Sequence, residues 1–184
     1  MKAYLLLGLV LATPALAQAP APAGRSPQDA AKAALAACVD HAASVTVIEG
    51  ASGKELDAAG LKYQRDAPDF LASTRSSVLG LAQYAKSPST QGEIWAIGYD
   101  SNACMVVTLA APVADAEKGY LDYFANAKGW RPDRTSGSPR PGERLLTYGW
   151  TARRNLRLTA VVSLRDADNT STVTITRAPT SGGY

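Results

Sequence analysis

The sequence predicts an α+β fold in which an antiparallel sheet packs against helices. Three observations carry this expectation. A capped, Ala-rich helix begins at Ser26, two long stretches read as β-hairpins, and a second helical pattern lies between them.

The chain starts MKAYLLLGLVLATPALA, with one Lys, an apolar run from Leu5 to Ala12 and a small-x-small site at Ala15 to Ala17. Residues 1–17 therefore read as a secretory signal peptide, too short in its apolar part for a membrane span. Residues 18–25 are a Pro/Ala-rich tether, residues 26–178 one α+β domain, and residues 179–184 a flexible tail.

Within the domain, Ser26 is placed to cap the first helix, Pro27 suits its first position, and Asp29 completes a capping box. Ala31, Ala34, Cys38, His41 and Val45 then form one stripe. Ser52 with Glu55 marks a second, short helix ending at Gly60. Asp69 caps a further short helix through Phe70 and Leu71, residues 78–84 read as strand or loop, and Pro88 opens a loop. A hairpin follows, from Glu93 to Tyr99 and back from Ala103 to Ala110. The next helix starts near Ala114, presents Tyr120, Leu121 and Phe124 on its apolar side, and ends at Gly129 as a left-handed cap. GERLLTYGWTARRNLRLTAVVSLR is the second hairpin, and STVTITR is a last strand with Val173 and Ile175 inward and Thr172, Thr174 and Thr176 outward.

These pieces suggest two diverged helix-plus-hairpin repeats, about 26–110 and 111–178. GLKYQR at Gly60 corresponds to GWRPDR at Gly129, and Gly92-Glu93 to Gly142-Glu143, with Met105, Val107 and Leu109 matching Leu158, Ala160 and Val162. The offset is 69 residues at the first pair and 50 at the second, so the match needs gaps. The plan resembles that of secreted enzyme inhibitors of the β-lactamase-inhibitor type. That likeness is architectural, and no motif joins the chain to a family.

Cys38 and Cys104, the two cysteines, are expected to form a disulfide in an oxidising compartment, the periplasm or the exterior. If they do, strand alternation turns Val106 and Thr108 to the helices and Met105, Val107 and Leu109 away, although the latter look like a core set. Either a bulge shifts the register or both faces of the strand are covered.

Charge is uneven. From Arg131 onward nine Arg stand against four acids, a balance of +5, which leaves −3 for the rest once Lys2 is removed from the formal +3. This suits an anionic partner. Nucleic acid is not expected, because no recognition motif accompanies the arginines. With His41 the only histidine, and no nucleophile, phosphate-loop or metal motif, neither a cofactor nor a metal is expected. The acids sit mainly at turns and helix starts, such as Asp29, Glu55, Asp100 and Asp115. Asn169-Thr170-Ser171 reads as a turn.

The expected function is therefore that of an exported, non-enzymatic binding or interaction protein whose partner is a protein or an anionic ligand. If the aromatic sets of the two strands share the uncovered side of the sheet, its expected surface is an aromatic platform of Trp95, Tyr99, Tyr148 and Trp150 beside Arg153, Arg154 and Arg157, the alternative being that both sets are core and point at the helices. The alternatives are an inhibitor of an exported enzyme, using that platform or the loop GSPRPGE, and a small carboxylate-dependent hydrolase.

Overall fold

A computed structural model describes residues 24–44, 60–72, 82–99, 103–133, 139–152 and 156–179. The signal peptide, the Ser52–Glu55 capping box and the tail after Pro179 lie outside these residues.

Helix α1, Pro27–Ser44, begins as its sequence requires: the Ser26 Oγ accepts from the Asp29 backbone N–H at 3.1 Å and donates to the Asp29 carboxylate at 2.7 Å. Eight strands follow among the described residues: β1 (Lys62–Gln64), β2 (Ala82–Ser87), β3 (Glu93–Tyr99), β4 (Cys104–Leu109), β5 (Trp130–Pro132), β6 (Glu143–Ala152), β7 (Leu156–Arg165) and β8 (Thr170–Pro179). Short α2, Asp69–Ala72, lies between β1 and β2, and α3, Val113–Asn126, between β4 and β5. The strands form one antiparallel sheet in the order β1-β2-β3-β4-β8-β7-β6-β5.

Helices α1 and α3 lie on one face of the sheet. Ala30, Ala31, Ala34, Leu35 and Cys38 of α1 share a core with Val113, Ala116, Tyr120 and Phe124 of α3 and with Ile94, Ala96, Val106, Val162, Val173 and Ile175 of the sheet. The fully buried Tyr120 hydroxyl shares hydrogen bonds with Thr108 at 2.8 Å and Ser171 at 3.1 Å. Thr108 and Ser171 are direct partners across β4 and β8, so this one hydroxyl pins α3 to the centre of the sheet. At Gly119 the two helices come so close that a Cβ would stand 2.3 Å from the Gln28 carbonyl oxygen.

The expected disulfide joins Cys38 and Cys104, with sulfurs 1.98 Å apart and a sequence separation of 66. The ladders β3–β4 and β4–β8 run without interruption, so no bulge shifts β4. Instead both of its faces are covered. Cys104, Val106 and Thr108 meet the helices, while Val107, Met105 and Leu109 belong to a second cluster on the outer face with Trp95, Ile97, Tyr99, Phe70 and Leu71.

Several expectations need correction. Residues 82–87 are a strand, and its pairing supplies the otherwise missing link between β1 and β3. Helix α3 ends at Asn126, and Gly129, with φ +95°, serves the turn into β5 rather than the helix cap. Its missing side chain admits the Trp150 indole, which a Cβ would meet at 2.7 Å. Gly92-Glu93 opens the third strand of its half and Gly142-Glu143 the second, so these pairs are not equivalent in strand order. Met105, Val107 and Leu109 likewise face outward whereas Leu158, Ala160 and Val162 face the helices. The Gly60 and Gly129 pieces do fall in like places, each preceding an edge strand and followed by a buried Leu61 or Trp130.

Candidate binding surface

Strand register assigns every side chain to a face, because directly opposed residues point the same way. Cys104, which bonds to α1, is in line with Ile175, Ala160 and Tyr148, so Tyr148 and its alternate neighbour Trp150 lie on the helix side. Trp95 is in line with Val107, Thr172, Ser163 and Leu145 on the outer side. The four aromatics thus do not form one platform. Trp95 and Tyr99 occupy one face, Tyr148 and Trp150 the other.

Neither pair is a bare aromatic surface. Phe70 of α2 covers Trp95 edge-on, with ring centroids 6.3 Å apart, and Lys86 lies over the indole at 5.1 Å while pairing with Glu93. Glu93 also accepts from the Trp95 indole N–H at 3.2 Å, and the Lys86 ammonium, above all, holds its carboxyl below the usual range. Trp95 and Tyr99 retain only 7% and 8% of their accessible surface. Burial, then the neighbouring Tyr84, raises the Tyr99 phenol. Its carbonyl oxygen accepts from the buried His41 Nε2 at 2.9 Å.

On the helix side, Phe124 stacks on Tyr148 at 4.1 Å and meets Trp130 edge-on at 5.1 Å, and Trp130 stacks with Trp150 at 6.4 Å. The Trp150 indole donates to the Lys128 carbonyl at 3.1 Å. Beside this cluster the Tyr123 phenol is pushed up to about 12 by burial and then by the charge of Asp40. These rings lock α3 to β5 and β6, a packing role.

Of the three expected arginines, Arg157 alone falls among the described residues; Arg153 and Arg154 lie outside them. Arg157 is on the outer face, where its guanidinium donates to the Asp133 carboxylate at 3.1 Å. Arg144 points to the helix side and bridges Glu117 of α3 at 3.0 Å and Asp166 at 3.4 Å.

What the outer face does present, over β6 to β8, is a hydroxyl-rich surface. Thr174 and Thr176 are exposed, Thr159, Ser163 and Thr172 half-buried, and Arg157 and Arg165 project beside them. Thr147, in line with Val161 and Thr174, is buried with no hydrogen-bond partner for its hydroxyl among the described residues. At one end of this surface a cavity of about 160 Å³ is lined by Arg140, Glu143, Ser163, Arg165, Thr170 and Thr172. Glu143 is held anionic there. The Ser163 hydroxyl donates to it, the Arg140 backbone N–H donates at 3.0 Å, and the charges of Arg140 and Arg165 add to the lowering of its pKa.

Arg140 and Glu143 belong to the loop GSPRPGE, offered by the sequence as an inhibitor's insert, whereas Ser163, Arg165, Thr170 and Thr172 match no motif. The hairpin itself held the signal: a connection at 153–155 places Glu143 opposite Arg165, and the turn at Asn169 places Arg165 opposite Thr170. Asn169 has the left-handed conformation expected of that turn, with φ +49°. Among the described residues no group of three His, Cys, Asp or Glu side chains could hold a metal ion, and no helix is long and apolar enough to cross a membrane. No protein-family model, curated protein or solved structure gives a significant match to the chain.

Proposed function

We propose that this chain is a non-enzymatic binding protein of the periplasm or the cell exterior, and that the outer face of β6 to β8 is its binding surface for a protein partner. The disulfide fits an oxidising, non-cytoplasmic environment. The observation that carries the reading is the asymmetry of the outer face. Its β2 to β4 half is closed by Trp95, Ile97, Tyr99 and Val107 under Phe70 and Leu71, while its β6 to β8 half displays exposed Thr174, Thr176, Arg157 and Arg165. Short β-branched hydroxyl side chains lose little rotamer freedom when covered, which lowers the cost of docking on such a surface.

Inhibition of an exported enzyme is one form this docking would take. Site-specific photocrosslinking in intact cells tests the reading. A crosslinker at Thr174 is expected to give a discrete adduct that the Arg157→Glu variant weakens, and one at exposed Leu121 of the helix side is expected to give none. An adduct from Leu121 with none from Thr174 would refute the assignment of the face.

We further propose that the two halves are diverged copies of one helix-plus-four-strand unit. Support comes from the strand order, in which β1 to β4 and β5 to β8 run inward from opposite edges to meet at β4 and β8. On this reading β3–β4 corresponds to β7–β8, not to β6–β7.

A further inference from the structure

We propose that the cavity at the ends of β6, β7 and β8 binds a small hydroxycarboxylate of the sugar-acid class. Its balance of donors and acceptors points to that chemistry. Both oxygens of Glu143 are already engaged, one by Ser163 and one by the Arg140 backbone N–H. Arg165 commits one terminal nitrogen to Asp168 at 3.2 Å, which leaves the rest of its fork unspent. The Arg140 guanidinium makes no hydrogen bond or ion pair among the described residues, and neither does the Thr172 hydroxyl. The uncommitted groups of the cavity are therefore mainly donors, two of them planar guanidinium forks that match a carboxylate.

Glu143 narrows the choice. Its charge opposes a second anionic group on the ligand, while its remaining lone pairs accept from ligand hydroxyls. Thr172 and Ser163 add further hydroxyl contacts along the wall. The volume, about 160 Å³, admits a molecule near the size of one six-membered ring. One carboxylate with several hydroxyls on such a ring satisfies each of these conditions. A neutral sugar leaves both guanidinium groups unanswered, and a bare carboxylate leaves the hydroxyl wall and Glu143 unused. This site does not depend on the outer face meeting a macromolecule.

The test is a titration of the ¹⁵N-labelled chain with glucuronate, glucose and acetate, following the amide resonances of Ser163, Thr170 and Thr172. Glucuronate is expected to give a saturable shift at these amides, with glucose and acetate weaker by about tenfold or more. Arg140→Ala and, separately, Thr172→Val are expected to weaken glucuronate by about tenfold and severalfold. Arg140 lies in the exposed turn before β6 and Thr172 is half-buried, so both variants should keep the native spectrum. The proposal is overturned if glucuronate gives no saturable shift, if acetate binds as well as glucuronate, or if both variants bind it as the parent does.

Discussion

Single groups at close contacts set much of the stability here. Gly119 is one, since any side chain there must displace the Gln28 backbone. Gly119→Ala is expected to destabilise the fold by about 1–3 kcal/mol, seen as a lower denaturant midpoint at unchanged slope. A second is Glu143. Its folded-state pKa lies below its ordinary value, so it stabilises the fold above the usual glutamate range and loses that contribution as pH falls through the folded-state pKa. The difference in Tm between the parent and Glu143→Gln should therefore be largest near neutrality and shrink below about pH 4. A constant difference across that range would show that the carboxylate charge is not the cause.

At the scale of elements, α1 is held in three independent ways. The capping box fixes its start, His41 bonds to β3 near its end, and the disulfide ties its middle to β4. Cross-linking a loop of this length restrains the unfolded chain by about 4 kcal/mol on the loop-entropy estimate. Replacing Cys38 and Cys104 together by Ala should lower unfolding free energy by an amount of that order, measured in denaturant. Reduction of the parent should reproduce most of the loss. The sheet edges β1 and β5 are three residues each and carry outward Lys62 and Arg131, a charged and abbreviated edge that discourages strand addition.

Across the whole molecule, the sheet is continuous through the β4–β8 pair, and both long helices share one core with it. The halves should accordingly unfold together. Variants that retain only Trp95, in the first half, or only Trp150, in the second, are expected to show coincident fluorescence transitions in denaturant. Two separate midpoints would mean that one half melts while the other stays folded. The same continuity ties the candidate surface to the core: the ladder that turns Thr174 and Thr176 outward is the one that turns Val173 and Ile175 inward.

Local chemistry was legible in the sequence. The Ser26–Asp29 box, both hairpins, the turn at Asn169, the alternation of the last strand and the pairing of two lone cysteines each depend on neighbours or on elimination. The faces of the aromatic strands were not legible, because β3 is apolar on both sides and alternation alone does not rank Ile94, Ala96 and Gly98 against Trp95, Ile97 and Tyr99. Packing decided it. The Ala-rich side of α1 approaches the sheet closely, and close approach needs small residues such as Ala85, Ala96 and Gly98 beneath it, so the large rings of β3 turn outward. Over β6, by contrast, Phe124 of α3 stacks on Tyr148, and there the rings turn inward. The outer surface and its cavity follow from that choice of faces, which the sequence could not make because it depends on how near each helix comes to the sheet.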